Sequence, residues 1–280
     1  MRKLLVSLLA LLPAGCSPLG MLNAALVRDN AVVQADIAYG AGDRRKLDLY
    51  QPRAPSSQPA PVVVFFYGGS WTSGERRDYR FVGQALAAEG IVAIVPDYRL
   101  APAAPFPAFV EDGAAAVAWA AANAARYGGD PDRIVLIGHS AGAYIAALLA
   151  TDPSYLAAEG LPLTRIRGVV GEAGPYSFHP LTWAPTRHVF AGLTDEDKAR
   201  PIAQAGPQSR PMALLHGAAD GTVQPSNTTE MAERLRAVGV PVETHLYPGL
   251  GHVGLLLTFY PALRGKAPAF RDLVAAVRGF

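Results

Sequence analysis

The stretch Ile134-Val135-Leu136-Ile137-Gly138-His139-Ser140-Ala141-Gly142, continued by AYIAALLA up to residue 150, decides the fold. Its apolar start is typical of a strand buried on both faces, and its apolar end is typical of a helix. The residues between match Gly-x-Ser-x-Gly, in which small residues let a strand turn sharply into a helix and expose a serine hydroxyl. Ser140 is therefore the candidate nucleophile. The alternative, a tight turn without catalytic role, is disfavoured by this strand and helix context.

The same alternation continues along the chain. Apolar runs typical of buried strands lie at residues 62–66, 91–95, 168–171, 212–216 and 242–247. Helical patterns cover residues 79–89, 110–127, 228–238 and 267–279. This order predicts an α/β protein with a mainly parallel central sheet and helices on both faces. Strands at 32–38 and 46–50 add antiparallel pairs at the N-terminal edge, and the unpatterned residues 176–211 predict a helical excursion over the sheet.

A serine hydroxyl needs a base, usually a histidine that is held by a carboxylate. Ligands of such sheets bind outside the carboxyl ends of the strands, so residues just after each run are candidates. Asp220 follows one run and His252 follows the next through a glycine-containing loop, which gives the chain order Ser140, Asp220, His252 expected for this motif. Glu172 also ends a strand and is the rival acid, while Asp220 could instead form an ordinary Asp-Gly turn. His216, which closes a strand, is expected to be structural.

Paired glycines end another buried strand, in the stretch Phe65-Phe66-Tyr67-Gly68-Gly69-Ser70-Trp71. Glycines weaken a strand but let a ligand approach the backbone closely. Attack on an ester carbonyl creates an oxyanion that needs preorganised N–H donors. We expect the N–H groups of Gly69 and Ser70 to form an oxyanion hole with that of Ala141, with Gly68 shaping the turn. The alternative is a glycine turn without function.

Composition excludes several classes of protein. The chain has 280 residues, of which 50% are hydrophobic and 17% charged, as expected for one large globular α/β domain. A net charge of +2 without a basic stripe argues against a nucleic-acid partner. We find no His/Asp cluster with metal-ligand spacing and no phosphate-binding glycine loop, so we predict neither a metal nor another cofactor. The glycines at residues 128–131 are expected to form a simple turn.

The N-terminus has the organisation of a signal peptide. Met1-Arg2-Lys3 is positive, the apolar run Leu4 to Leu12 is too short to span a bilayer, and small residues precede Cys16, the only cysteine. We predict a signal peptide of the lipoprotein type at 1–15, a tether at 16–31 and a single catalytic domain at 32–280. We therefore predict a lipid-anchored protein of the bacterial cell envelope that faces the periplasm or the exterior. Pro13 departs from the usual lipidation pattern. The alternatives are ordinary secretion and a buried N-terminal helix.

Five stretches, spread between residues 62 and 259, resemble the α/β-hydrolase esterases. They are YGGSWTSGERRDYRFVG (67–83), the segment 96–150, GEAGPYSF (171–178), HGAADGTVQP (216–225) and YPGLGHVG (247–254). Within these esterases, the chain resembles proteins close to the hormone-sensitive-lipase group. It more closely resembles the branch that holds feruloyl/acetyl-xylan esterases and kynurenine formamidases. It implies the α/β-hydrolase fold, a triad of Ser140, Asp220 and His252, and an oxyanion hole of Gly68, Gly69, Ser70 and Ala141. Tyr67 departs from the family's common histidine, so a phenol must brace the glycine loop.

The expected function is that of a serine carboxylesterase acting on small to medium carboxylic esters through an acyl-enzyme. The same machinery also serves an arylformamidase-like amide hydrolase, and a non-catalytic envelope lipoprotein that uses the fold for binding is the alternative from another class. The expected partner is a small ester, and the membrane is involved only through lipidated Cys16. Apolar residues expected near the acyl group, or else in the core, are Trp71, Phe178, Trp183, Phe190, Leu255 and Leu256.

Overall fold

The computed structural model describes residues 31–54 and 57–280. The predicted signal peptide, the tether up to residue 30 and Cys16 lie outside these residues. Within them, no helix combines the length and the apolar character needed to cross a membrane.

Eight strands in the described residues form one sheet. They are β1 (Ala31–Ala38), β2 (Lys46–Pro52), β3 (Ala60–Phe66), β4 (Val92–Pro96), β5 (Gly129–His139), β6 (Ile166–Glu172), β7 (Met212–Gly217) and β8 (Val242–Tyr247). Their spatial order is β1-β2-β4-β3-β5-β6-β7-β8. The β1–β2 and β2–β4 pairs are antiparallel, and all pairs from β4 to β8 are parallel. The predicted α/β-hydrolase fold with antiparallel strands at the N-terminal edge is therefore confirmed.

Helices follow the strands. They are α1 (Arg80–Ala88), α2 (Ala108–Asn123), α3 (Ala141–Thr151), α4 (Pro153–Ala158), α5 (Pro201–Gln204), α6 (Ser226–Ala237), α7 (Gly254–Leu257) and α8 (Ala269–Gly279). Helix α3 packs against α2, α4 and α5, and α5 also packs against α6. Helix α8 approaches the end of α1, where Arg278 donates a hydrogen bond to the carbonyl of Glu89. Helices thus cover both faces of the sheet, as the alternating pattern predicts.

The core is deepest along β3, β5 and α3. Every residue from Val62 to Phe66 is 0% exposed, and α3 is buried along its whole length. A helix that is apolar on all sides is stable only inside a protein, so the sequence after Ser140 requires cover on every side. The excursion at residues 176–211 provides part of this cover, because Tyr144 on α3 donates a hydrogen bond to the carbonyl of Ala199.

The structure differs from the sequence-based expectation at several element boundaries and in the place of one strand. The helix expected from Tyr79 starts as a 3-10 turn at Arg76–Tyr79, and the last turn of the helix expected to reach Tyr127 is also 3-10. The expected turn at 128–131 is shorter, because Gly129 already pairs with Ala60 as the first residue of β5. Strand β8 was expected to be buried but is the sheet edge, so Leu246 remains 45% exposed.

Candidate active site

Ser140 occupies a strained turn between β5 and α3. Its backbone angles are φ 54° and ψ −121°, a region that a non-glycine residue rarely adopts. The two glycines of the motif are required by space. A Cβ on Gly138 would approach the carbonyl oxygen of Gly142 to 2.2 Å, and one on Gly142 would approach that of Phe66 to 2.0 Å. The turn is fixed from the neighbouring strand, since the Ser140 N–H donates to the Glu172 carbonyl at 2.9 Å.

A continuous chain of hydrogen bonds joins Ser140, His252 and Asp220. The Ser140 Oγ lies 2.9 Å from His252 Nε2, and His252 Nδ1 lies 2.7 Å from Asp220 Oδ2. Because a carboxylate can only accept, Nδ1 carries the proton and Nε2 is free to accept from the serine hydroxyl. This arrangement lets the imidazole remove the serine proton, as nucleophilic catalysis requires.

Asp220 is buried and has donors on both oxygens. Its Oδ1 accepts from the N–H groups of Thr222 (2.8 Å) and Val223 (3.0 Å). Burial raises the pKa of Asp220, but the hydrogen bonds from His252 and from these two N–H groups outweigh burial and hold the pKa below its ordinary value. Asp220 therefore stays ionised next to the imidazole. The rival acid Glu172 makes no side-chain hydrogen bond with any of the described residues.

His216 contacts the acid, which the sequence-based expectation of a merely structural histidine missed. Its Nε2 lies 3.2 Å from Asp220 Oδ2 and 3.0 Å from the carbonyl oxygen of Val223, and its Nδ1 lies 2.7 Å from Thr228 Oγ1. Its place at the end of β7, just before the loop that carries Asp220, was the available sequence signal. No local pattern indicates the contact with Thr228 on α6.

His139, inside the motif, contacts the loop of the base. Its Nε2 donates to the backbone carbonyl of His252 at 2.9 Å. Burial first, and the nearby His252 second, lower the pKa of His139 to about 3, so this imidazole is neutral. The sequence indicated that the His139 side chain does not turn back onto Ser140, but it gave no sign of a contact with a residue 113 positions further along the chain.

The glycine loop after β3 lies against the nucleophile. A Cβ on Gly68 would come within 3.1 Å of the Cβ of Ser140. Gly69 and Ser70 have φ values of 125° and 52°, and a Cβ on Gly69 would approach the carbonyl oxygen of Ser73 to 2.2 Å. In the described part of the chain, the N–H groups of Gly69 and Ser70 donate to no backbone carbonyl. The N–H of Ala141, the first residue of α3, has no intrahelical acceptor either, so all three remain available to an oxyanion.

Tyr67 braces this loop through both its ring and its hydroxyl. The ring stacks between those of Tyr79 and Tyr98, at centroid distances of 5.1 and 4.6 Å. The hydroxyl donates to Asp97 Oδ1 at 2.8 Å and accepts from Arg44 at 2.7 Å. Tyr98 in turn donates its hydroxyl to the carbonyl of Tyr67 at 2.8 Å. The phenol thus replaces the bracing histidine by a network whose members come from three separate segments.

The apolar residues expected near the acyl group divide into three groups. Trp71, Phe190, Leu255 and Leu256 are at most 2% exposed and belong to the core, Phe178 is partly buried against the core, and Trp183 is 47% exposed. Trp71 packs edge-on against Tyr144, with ring centroids 5.0 Å apart. Tyr144 lies one helical turn beyond Ser140 and Trp71 directly follows the glycine loop, so this aromatic cluster contacts both elements that carry the candidate site.

No group of three or more His, Cys, Asp or Glu side chains in residues 31–54 and 57–280 has an arrangement that could hold a metal ion.

The BD-FAE family model matches residues 47–235, about two thirds of the chain. The chain belongs to the BD-FAE family. The match includes Gly68, Ser140 and Asp220 but ends before His252. Within the fold, this BD-FAE member is similar to the native structure of the esterase Est2 of Thermogutta terrifontis, with a TM-score of 0.71, 25% identity, and coverage of 90% of this chain and 91% of the other.

Two curated proteins are also similar to it. Esterase LipC of Mycobacterium tuberculosis (strain ATCC 25618 / H37Rv) is 33% identical over 237 residues, which cover 77% of this chain and 58% of LipC. The isoprenylcysteine alpha-carbonyl methylesterase ICME of Arabidopsis thaliana is 30% identical over 266 residues, which cover 88% of this chain and 62% of ICME. The chain thus spans about three fifths of the length of these relatives.

Proposed function

We propose that this chain is a serine carboxylesterase that hydrolyses small to medium carboxylic esters through an acyl-enzyme. The observation that carries the proposal is the hydrogen-bonded chain from Ser140 through His252 to Asp220, beside a glycine loop in which the N–H groups of Gly69 and Ser70 donate to no backbone carbonyl of the described residues. The relatives LipC and ICME and the structural neighbour Est2 are named as esterases or a methylesterase, which supports the same reaction class.

In the proposed mechanism, His252 Nε2 takes the proton of the Ser140 hydroxyl as the oxygen attacks the ester carbonyl. Asp220 stabilises the imidazolium that forms and holds its orientation. The N–H groups of Gly69, Ser70 and Ala141 bind the oxyanion. His252 then gives its proton to the leaving alcohol, and a water molecule, activated by the same imidazole, releases the acid from the serine.

The proposed limit on the length of the acyl chain rests on the aromatic cluster beside the glycine loop. Trp71 directly follows the glycine loop, and its ring lies 5.3 Å from that of Phe190 and 5.8 Å from that of Phe178. Large rings packed this closely beside the glycine loop favour a short acyl group over a long chain. We therefore infer a preference for acetyl to butyryl esters over long-chain esters.

The location is inferred from the N-terminal sequence alone. A basic start, a short apolar run and small residues before Cys16 support export and lipidation, and thereby attachment to the bacterial cell envelope. Mass spectrometry of the membrane fraction is expected to find an acylated N-terminal Cys16. A mature chain that retains Met1 would contradict this location.

The decisive experiment compares the parent with Ser140→Ala on p-nitrophenyl acetate, butyrate and laurate. Loss of the nucleophile is expected to lower kcat by at least about 10³-fold, as in other serine hydrolases. In the parent, acetate and butyrate should be hydrolysed faster than laurate. Equal rates for the parent and Ser140→Ala would refute the mechanism, and faster hydrolysis of laurate would refute only the inferred acyl preference.

A further inference from the structure

The imidazole of His216 has partners that fix the position of its proton. The side chain is 0% exposed at the end of β7. The carbonyl oxygen of Val223, 3.0 Å from Nε2, can only accept, so Nε2 carries the proton. Burial lowers the pKa of His216, so the ring is neutral and its Nδ1 has a lone pair. That lone pair accepts from the Thr228 hydroxyl at 2.7 Å.

The same Nε2–H also faces the carboxylate of the triad. Asp220 Oδ2, 3.2 Å from Nε2, is the oxygen that accepts from His252. The two imidazoles therefore share one carboxylate oxygen, and the other oxygen is occupied by two backbone N–H groups. A carboxylate held by four donors cannot rotate, and each added donor weakens its attraction for a further proton.

We propose that Thr228 and His216 form a positioning relay that fixes the Asp220 carboxylate and moderates its attraction for the proton that His252 gains during catalysis. The inference rests on the proposed function, because it assigns the relay to that same triad. His216 touches neither the substrate nor the serine, so it acts through Asp220.

Three other titratable groups near the relay stay neutral in the pH range where the acid limb of the kcat/KM profile would report on His252. From the turn after β5, His139 stays neutral, because burial lowers its pKa to about 3. From β6, beside β7, burial raises the pKa of Glu172 to about 8, above the range in which a catalytic histidine is expected to titrate. On β8, burial raises the pKa of Tyr247, so its hydroxyl stays neutral.

The first test compares His216→Leu with His216→Gln in pH profiles of kcat/KM, whose acid limb reports protonation of the free enzyme's base. His216→Leu removes the donor, so the carboxylate attracts the His252 proton more strongly and activity needs a higher pH. The acid limb is expected to move upward by about half a unit to one unit. His216→Gln presents an amide N–H near the place of Nε2 and should keep the limb near that of the parent.

The second test changes only the hydroxyl that anchors the ring. Thr228→Val has the same shape without a donor and should move the limb in the same direction by a smaller amount, while Thr228→Ser retains the hydroxyl and should restore it. Thermal unfolding is measured for each variant. If His216→Leu folds and its acid limb lies at the same pH as that of the parent, the relay is wrong, even if kcat is lower. If His216→Leu does not fold, the same result for Thr228→Val overturns the relay.

Ser140→Ala separates this inference from the proposed function. If Ser140→Ala is inactive and the limb does not move in the relay variants, the serine mechanism stands and the relay is wrong. If Ser140→Ala retains the activity of the parent, the mechanism itself has failed.

Discussion

The carboxyl group of Glu172 is buried without any compensating contact among the residues that the structure describes. It is 0% exposed, and neither oxygen has a hydrogen-bond partner there. Burial of this kind penalises the charged form, and it raises the pKa of Glu172 from 4.5 to about 8. We therefore predict that Glu172→Gln, which keeps the shape but cannot ionise, changes how the stability of the protein depends on pH.

The sign follows from the two protonation states. Below pH 4.5, Glu172 is protonated in both the folded and the unfolded chain, and burial causes no loss of stability through ionisation. As the pH rises from 4.5 towards 8, only the unfolded chain releases the proton, so the free energy of unfolding of the parent falls. At 1.36 kcal/mol for each pKa unit, the loss amounts to a few kcal/mol, on the order of 4 to 5 at most.

The assay is urea unfolding of the parent and Glu172→Gln at pH 5, 7 and 9. The quantity of interest is the difference between the two proteins, because other titrating groups affect both alike. Relative to the parent, Glu172→Gln should gain stability steadily from pH 5 to about pH 8 and no more above it. A difference that is the same at all three pH values would refute a buried, protonated Glu172.

The same variant separates the two acids that the sequence left open. Glu172→Gln should keep kcat at pH 7 within about threefold of the parent. Asp220→Asn removes the negative charge that faces His252 Nδ1 and can present an N–H in its place, so it should lose about 10³- to 10⁴-fold. If Glu172→Gln lost activity as severely as Asp220→Asn, the acid would have been assigned to the wrong residue.

Two further predictions concern the supports of the site. Tyr67→Phe leaves a buried Asp97 with one donor fewer. We therefore expect the free energy of unfolding to fall by about 1 to 2 kcal/mol and kcat to fall by up to about tenfold. An unchanged kcat on p-nitrophenyl acetate would mean that ring packing alone braces the loop. His139→Leu leaves the His252 carbonyl without its donor and should lower kcat about 3- to 10-fold with KM unchanged. His139→Gln should recover part of this loss. Steady-state kinetics of His139→Leu equal to those of the parent would show that His139 does not support the His252 loop.

Much of the fold could be predicted because its signals are local. The turn around Ser140 needs small residues at fixed spacing, and a strand as apolar as β3 is stable only when buried on both faces. Local pattern is weaker at β8, whose mixed residues fit an edge as well as a centre. The position of a strand in the sheet depends on which neighbours it pairs with, and that information is not contained in its own residues.

The supports of the site show the same limit. His252 could be found because it follows a strand in the order that the motif demands, but the partners of His139 and His216 could not. The carbonyl that accepts from His139 lies 113 residues further along the chain. Arg44, which holds the Tyr67 hydroxyl, comes from the loop before β2 and carries no motif of its own. Such contacts arise from the packing of complete elements.

The chemistry of these supports is consistent with the charge that the site must accommodate. In the proposed mechanism, His252 becomes an imidazolium during attack, and a second cation nearby would oppose this change. Both neighbouring imidazoles are neutral, because burial lowers the pKa of His139 to about 3 and that of His216 below its ordinary value. His139 still donates to the carbonyl of His252, and His216 shares its one N–H between the Val223 carbonyl and Asp220. Buried neutral histidines can therefore orient the proposed triad without placing a second positive charge beside its base, which a lysine or an arginine at either position would do.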